Sequence, residues 1–257
     1  MARVLVTGSA DGLGLMAAQL LIEDGHEVTL HARSKERAAD ALASAPGAQA
    51  ALGGDLASIA EVRELAASAN QGGHFDAVIH NAAVGYREPR LETVDGLEHV
   101  FAINVLAPYL LSALLEHPAR VIFLSSGMHR GADGDTDDLQ WRQRAWNGSQ
   151  AYAESKLWDA VLAFALARRW PDVACNAVEP GWVATKMGGP NAPDDLALGA
   201  VTQVWLAVSD EPAALESGRY LFHQRPHDTN PAVADEDVQE RLLDACAALS
   251  GTPLPSA

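Results

Sequence analysis

Residues 4–14 read Val-Leu-Val-Thr-Gly-Ser-Ala-Asp-Gly-Leu-Gly and join a short apolar run to an amphipathic stretch. The apolar run predicts a buried strand, and the stretch after it predicts a helix. Gly8, Gly12 and Gly14 let the chain turn tightly and bring its backbone close to a ligand. The N-terminus of the helix offers free N–H groups and partial positive charge, which suit a pyrophosphate. A turn without a ligand is the alternative, but its place between strand and helix favours a dinucleotide site.

Short apolar runs and amphipathic stretches alternate along the rest of the chain. This alternation predicts an α/β fold, a Rossmann-type doubly wound parallel sheet of about seven strands with helices on both faces. The predicted strands are Val4–Val6, Val28–Leu30, Gln49–Leu52, Ala77–Ile79, Val121–Leu124, Ala174–Val178 and Tyr220–Phe222. The predicted helices lie near 13–24, 34–45, 58–69, 97–116, 150–169 and 195–208, with one more from Ala232 to just before Gly251.

Length and charge narrow the classes of protein. The 257 residues carry no Pro/Ser-rich linker and no repeat, so we expect one domain over 1–257. The formal charge is −16, from 18 basic and 34 acidic residues. A surface this negative repels phosphate backbones and anionic lipid, so we expect no nucleic acid and no membrane partner.

The two cysteines, Cys175 and Cys246, form neither a disulfide framework nor a metal-ligand cluster. We therefore expect no metal and a reducing, cytoplasmic location. No targeting segment is visible. The longest apolar stretch, Val100 to Leu115, contains Asn104 and Pro108 and falls short of the roughly 20 residues of a spanning helix, which predicts a buried helix.

Two positions after predicted strands bear on the cofactor. No acid stands at positions 31–35, and Arg33 is basic. An Arg at this place can accept a 2′-phosphate, which favours NADP(H) over NAD(H), with a solvated surface charge as the alternative. Asp55, followed by Leu56, could bind the adenine amino group or cap the helix that begins near Ser58.

The chemistry is predicted from a strand that ends in Ser125-Ser126 and from Tyr152 and Lys156, four residues apart on one helix face. A nearby ammonium stabilises a phenolate and lowers the pKa of the phenol, which can then exchange a proton with a substrate oxygen. A serine hydroxyl can hydrogen-bond the same oxygen. Such a pair alone is common on helix surfaces, and its weight comes from following a dinucleotide turn.

Several histidines and tryptophans are further candidates for a functional site. His80 and His129 have no H-x-x-x-H partner, and His129 could line a substrate cleft or be structural. Trp141, Trp146 and Trp182 could form an apolar substrate wall or ordinary packing. No G-x-S-x-G elbow surrounds Ser126, which argues against a hydrolase. Two irregular segments, Gly127–Ser149 and Thr185–Asp195, follow strands where such sheets place their ligand crevice.

Together these motifs resemble the short-chain dehydrogenase/reductase family from Thr7 to about Met187. The resemblance implies a cofactor turn at 7–14, which includes Ser9, Asp11 and Leu13. It implies a cofactor contact at Asn81-Ala82-Ala83, where Ala83 departs from the family's glycine. Pro180-Gly181-Trp182-Val183-Ala184-Thr185 is similar to the nicotinamide segment, with Val183 at the carboxamide and Thr185 near the phosphates.

The same resemblance implies four catalytic residues: Ser126, Tyr152, Lys156 and Asn104, the last holding a proton-relay water. The 25 residues between Ser126 and Tyr152, and Ser217-Gly218-Arg219-Tyr220 later, are similar to the retinol dehydrogenase-like branch. In that branch an Arg after the second strand goes with NADP(H).

The resemblance therefore implies reversible reduction of a small-molecule carbonyl by an enzyme that forms a homodimer or homotetramer through the Tyr152 helix and its neighbour. A cofactor-binding regulator or redox sensor is the alternative, although such relatives often lose the Tyr or Lys. A lyase, epimerase or dehalogenase on the same scaffold is a third interpretation.

Overall fold

A computed structural model describes residues 1–256 and contains one eight-stranded sheet in the order β3-β2-β1-β4-β5-β6-β7-β8. Seven strands run parallel, and β8 pairs antiparallel with β7. The strands are β1 (Arg3–Val6), β2 (Glu27–Ala32), β3 (Ala50–Gly53), β4 (Ala77–His80), β5 (Arg120–Leu124), β6 (Ala174–Glu179), β7 (Arg219–Phe222) and β8 (Arg225–Pro226). The predicted doubly wound α/β fold is confirmed.

Helices cover both faces of the sheet because the strands are apolar on both sides. One buried cluster joins the sheet to α3, α5, α6 and α8, and the other joins it to α1, α2 and α7. The helices are α1 (Gly12–Glu23), α2 (Lys35–Ser44), α3 (Ile59–Gln71), α4 (His99–Phe101), α5 (Ala107–Leu114), α6 (Gly148–Arg169), α7 (Val201–Val208) and α8 (Glu236–Ser250). They match the predicted helices within a few residues, except that the segment predicted at 195–208 contains a short 3₁₀ turn before α7.

The predicted helix near 97–116 is interrupted. A π-helical turn, Ala102–Leu106, joins α4 to α5 and holds Asn104 at its centre. Single π turns inside α-helices are frequent at functional sites.

The eighth strand is the one departure from the predicted strand count. His223 and Gln224 both have positive φ, +48° and +61°, and form the two-residue turn between β7 and β8. Two residues with positive φ are what a type I′ hairpin requires. The pairing covers two residue pairs only, so β8 is a short edge strand.

The helix α6 lies deep in the molecule. Of its 22 residues, 15 are buried, among them Tyr152 and Lys156. It packs on β5 and β6 on one side and on α8 on another. Among residues 1–256, no helix is long and apolar enough to cross a membrane.

Candidate active site

A cavity of about 710 Å³ opens beside the carboxyl ends of β1 and β4, the neighbours at which the strand order reverses. In open α/β sheets this switch point is the place for a ligand. The cavity brings together 14 of the residues predicted to bind a cofactor: Gly8, Asp11, Gly12, Leu13, Arg33, Asp55, Leu56, Asn81, Ala82, Ala83, Tyr152, Lys156, Pro180 and Thr185. Four predicted residues, Ser9, Gly14, Gly181 and Val183, lie outside its lining.

The glycine turn is fixed by its contact with the loop after β4. Gly8 has φ +61°, and a Cβ at this position would stand 2.7 Å from the Cα of Ala82. The Asn81 side chain donates to the carbonyls of Thr7 and Gly8 at 2.9 and 3.1 Å. The Thr7 hydroxyl accepts from the backbone N–H groups of Asn81 and Ala82. These hydrogen bonds explain why the Asn-Ala pair and the glycine turn occur in one chain.

Within the turn, Ser9 and Gly14 serve packing. Ser9 is fully buried; its hydroxyl donates to Val6 O and accepts from His31 N–H, which ties β1 to β2. A Cβ on Gly14 would stand 2.4 Å from Gly8 O and from the Asn81 amide nitrogen. Gly12 is different, because open space surrounds its missing Cβ.

The N-terminus of α1 meets the needs of a pyrophosphate. Asp11 occupies the cap position without a side-chain cap hydrogen bond, so its carboxylate leaves the first N–H groups of the helix free. Those groups carry the partial positive charge of the helix and lie beside the cavity. The residues present therefore fit a dinucleotide.

His31 lines the same cavity and was missed from the sequence. Its Nδ1 accepts from the Gly8 N–H at 3.1 Å, and its Nε2 lies 2.9 Å from the Gly54 carbonyl. These partners fix a neutral ring protonated on Nε2. Burial lowers the pKa of His31, with Gly54 and Asp55 acting in the opposite direction. The sequence signal that could have identified His31 is its place at the end of the second predicted strand, within the stretch 31–35 that was considered only because it contains no acid.

The mouth of the cavity carries positive charge. Arg33 is exposed, lines the cavity and has no ion-pair partner among residues 1–256. Lys186 pairs with Asp11 at 2.5 Å, and Arg37 lies 3.8 Å from the same carboxylate. Asp11 is thus paired with two cations, in a chain whose net charge is −16.

Asp55 lines the cavity and is not the cap of the next helix. Ser58 caps α3 by accepting from Glu61 N–H. The Asp55 carboxylate instead accepts from Ala57 N–H at 3.0 Å, and its own N–H donates to the Glu61 carboxylate. Of the two roles left open for Asp55, capping is therefore wrong.

Tyr152 and Lys156 are both buried and both line the cavity. The Lys156 Nζ lies 5.8 Å from the centroid of the Tyr152 ring. Tyr86 packs edge-on against that ring at 6.0 Å. Burial raises the pKa of Tyr152; Lys156 and the Ser126 hydroxyl lower it, whereas Asp159 and Tyr86 raise it. The expected lowering by Lys156 is present, but burial outweighs it.

The other two predicted catalytic residues, Ser126 and Asn104, lie outside the cavity lining. Ser126 begins the turn after β5, where its hydroxyl accepts from Met128 N–H at 3.3 Å. The Asn104 side chain accepts from Val84 N–H at 2.8 Å and donates to Val84 O and to the Ser155 hydroxyl. Asn104 therefore connects α6 to the loop after β4, on which Tyr86 lies.

The segment after β6 folds back over the cavity. Gly181 has φ +89°, and a Cβ there would stand 2.9 Å from an Asp194 carboxylate oxygen. Val183 is buried and bridges to Asp194. Thr185 N–H donates to Val183 O at 2.8 Å. Gly181 and Val183 thus shape the loop that places Pro180 and Thr185 in the cavity wall.

The aromatic and histidine candidates separate in the structure. Trp141 is buried against Trp146, under the Arg144 guanidinium, whereas Trp182 is 57% exposed. His129 is fully buried and bonded to Ser126 O and Asn230 N–H, which makes it structural.

Sequence reasoning missed further cavity residues: Leu15, Met16, Gly54, Val84, His99, Ile103, Leu124, Ser125, Ala184, Lys186, Met187 and Leu196. Gly54, Ser125, Lys186 and Met187 follow a predicted strand or belong to an irregular segment, and that position was the available signal.

Known proteins resemble this chain in sequence and in structure over almost its whole length. The family model described as short chain dehydrogenase matches residues 2–132. Short-chain dehydrogenase chyC of Penicillium rubens is 42% identical over 259 residues, covering 100% of both chains. Retinol dehydrogenase 13 of Homo sapiens is 33% identical over 288 residues, covering 98% of this chain and 86% of its own. The structure of an uncharacterized protein from Mycobacterium paratuberculosis matches with a TM-score of 0.87 at 25% identity, covering 99% of this chain and 95% of that chain. Because the family model and full-length relatives agree, the chain belongs to the short-chain dehydrogenase/reductase family of oxidoreductases, on its retinol dehydrogenase-like branch.

Proposed function

We propose that the chain interconverts a ketone or aldehyde and the corresponding alcohol with NADP(H). The observation that carries the proposal is one cavity that holds the glycine turn, the exposed Arg33, and the Tyr152–Lys156 pair. The whole chain acts in this proposal as one unit over 1–257, because the cofactor turn follows β1 and the helix that carries the acid/base pair packs on β5 and β6 of the same sheet.

When bound in the cavity, the reduced cofactor would supply hydride for reduction of the carbonyl, and the oxidised cofactor would accept it in the reverse reaction. Tyr152 donates its phenolic proton to the oxygen as negative charge develops there. The Ser126 hydroxyl hydrogen-bonds the same oxygen. Lys156 stabilises the phenolate that remains, and Asn104, in the π turn, supports the water chain that returns the proton.

Cofactor preference follows from charge at the mouth. Arg33 can pair with a 2′-phosphate, and no acid at the end of β2 competes for ribose hydroxyls. NADP(H) is therefore the proposed cofactor and NAD(H) the weaker alternative.

Assembly is constrained by α8. It packs on α6, the Tyr109 hydroxyl donates to Thr252 O, and the Trp170 indole donates to Pro255 O. The C-terminal residues thus occupy part of the α5–α6 surface. We propose that a homodimer or homotetramer of this chain uses another face. Cytoplasmic location stays a prediction from composition.

The test follows absorbance of the reduced cofactor with NADPH or NADH and a panel of aldehydes and ketones. We expect turnover that is faster with NADPH and at least 100-fold slower in Tyr152→Phe, in line with the usual contribution of a general acid. Turnover that survives Tyr152→Phe unchanged contradicts the mechanism. Tight NADPH binding without turnover on any carbonyl favours the regulatory alternative.

A further inference from the structure

The ammonium of Lys156 is engaged away from Tyr152. Its Nζ donates to the Asp159 carboxylate at 2.7 Å and to the Leu124 carbonyl at 2.8 Å. The side chains of Lys156 and Asp159 are only 4% and 3% exposed. A lysine ammonium has three N–H donors, so two are committed and one remains.

Asp159 follows Lys156 by three residues on α6, which places the two side chains on one helix face. A carboxylate in an apolar interior is costly unless it is paired and hydrogen-bonded. The next residues along the same helix face, Leu162 and Ala163, are apolar and fully buried, so an alanine or leucine would also fill the position of Asp159. The carboxylate is therefore a feature that packing alone does not require.

The pair changes the charge that Tyr152 experiences. Lys156 acts to lower the pKa of Tyr152, and Asp159 acts to raise it. Burial raises the pKa of Asp159 itself to about 7, although Lys156 acts against that rise. A close ammonium–carboxylate pair presents a dipole where a lone ammonium would present a full charge.

We propose that Asp159 is a positioning residue that anchors Lys156 and limits how strongly its charge acts on Tyr152. Two donors of the ammonium are fixed by Asp159 and Leu124, so a single N–H is left to turn towards Tyr152. This inference rests on the proposed function, in which Tyr152 is the acid/base. It adds a residue whose charge sets the pH range of the reaction.

Few other groups influence the ionisation of Tyr152 from outside α6. Ser126, from the end of β5, and Tyr86, from the loop after β4, are the neighbours that act on the phenol from other segments. His129 is bonded to Ser126 O and Asn230. Other titratable groups on the segments packed against α6 lie beside other partners: His99 near Glu88, Arg130 and Tyr220 with Glu179, Glu98 with its own helix, and Glu240 with Arg168 and Arg169.

Asp159→Asn tests the proposal because it keeps the shape and removes the charge. We expect the pH at which alcohol oxidation reaches half its maximal kcat to fall by about one unit, since unpaired Lys156 then acts on Tyr152 with its full charge. Asp159→Glu restores the charge and should move this pH back towards that of the unaltered chain. Glu154→Gln removes another buried carboxylate of α6, one paired with Arg144, and should leave the profile in place.

A second measurement does not need turnover. Tyrosinate absorbance is recorded against pH, and the Tyr152 contribution is isolated by subtracting the Tyr152→Phe curve in each background. Ionisation of Tyr152 should occur at lower pH in Asp159→Asn, and Asp159→Ser is the second variant if the first fails to fold. An unchanged or higher value in a folded variant overturns the proposal. Absence of turnover with a shifted absorbance curve would overturn the proposed function alone.

Discussion

The backbone N–H of Gly8 donates a hydrogen bond to Nδ1 of His31 at 3.1 Å, so a side chain of β2 holds the cofactor turn of β1. His31→Ala leaves the Gly8 N–H and the Gly54 carbonyl without this partner. We expect a loss of about 1–3 kcal/mol in the free energy of unfolding and weaker NADPH binding. Denaturant unfolding and fluorescence titration measure the two effects.

His26→Ala is the matched control. Its Nδ1 also accepts a backbone N–H, from Ala2 at 3.0 Å, but at the other end of the sheet. It should cost stability without weakening NADPH binding. Equal losses of NADPH affinity in both variants would contradict a specific role for His31.

Arg33→Ala should discriminate between the two cofactors. A charge-assisted contact with phosphate contributes more than a neutral hydrogen bond, so we expect about tenfold or greater loss of NADPH affinity. NADH affinity should change little, because NADH has no 2′-phosphate. Arg241→Ala on α8, outside the cavity lining, is the control. Parallel losses for NADPH and NADH in Arg33→Ala would remove the 2′-phosphate assignment.

The buried His80 ring should make the folded protein less stable in acid. The ring is buried on β4, where its Nε2 lies 3.0 Å from the Ser112 hydroxyl, and burial lowers the pKa of His80 to about 3. Because the folded pKa lies below the unfolded value of about 6.5, the unfolded chain binds more protons between these limits. Keeping His80 neutral in the fold therefore costs no free energy of unfolding above pH ~6.5. As the pH falls below this value the free energy of unfolding decreases, by about 2 kcal/mol at pH ~5.

Urea unfolding near neutral pH and near pH ~5 measures that loss. His80→Gln cannot be protonated there, so its stability should fall by about 2 kcal/mol less than that of the unaltered chain. If both chains lose the same free energy, His80 is not the source.

Arg144 fastens the irregular segment before α6 to the helix that carries Tyr152. Its guanidinium donates to both carboxylate oxygens of Glu154, at 2.8 and 2.9 Å, and lies 3.9 Å from the Trp141 ring. Arg144→Met leaves a buried carboxylate unpaired, and we expect about 2–3 kcal/mol of destabilisation together with a raised KM for the carbonyl substrate. Thermal unfolding and steady-state kinetics report these changes.

The double variant Arg144→Met/Glu154→Leu separates charge burial from attachment of the segment. Removing both charges should recover most of the stability, since an apolar pair can replace a buried ion pair. The KM should stay raised. A double variant as unstable as the single one would place the loss in Arg144 packing on Trp141.

The sequence predicted the layers of the fold because apolar periodicity, glycines and helix caps act locally. It missed β8 because the turn at His223-Gln224 lacks the Asn-Gly or Asp-Gly signal of a type I′ hairpin, and tertiary packing imposes its positive φ values. It also missed the π turn around Asn104, since one added residue per turn leaves the apolar pattern almost unchanged.

At the candidate site, residue types in a fixed spacing predicted which side chains meet in the cavity. Spacing could not separate a cofactor contact from a packing contact, and Ser9 and Gly14 turned out to hold the turn itself together. His31 and Asp159 carry no motif. Their roles depend on which backbone groups the folded sheet and helix bring within reach.

Lys186 and Asp11, 175 residues apart, form an exposed ion pair between the loop after β6 and the glycine turn, and both line the cavity. Exposed pairs contribute little and are screened as salt rises. We expect exchange of a bound molecule past these residues to need separation of the pair, whereas proton transfer at buried Tyr152 does not. Ionic strength should therefore control how fast a bound molecule is exchanged in the cavity between turnovers. The rate of a single turnover should stay almost unaltered.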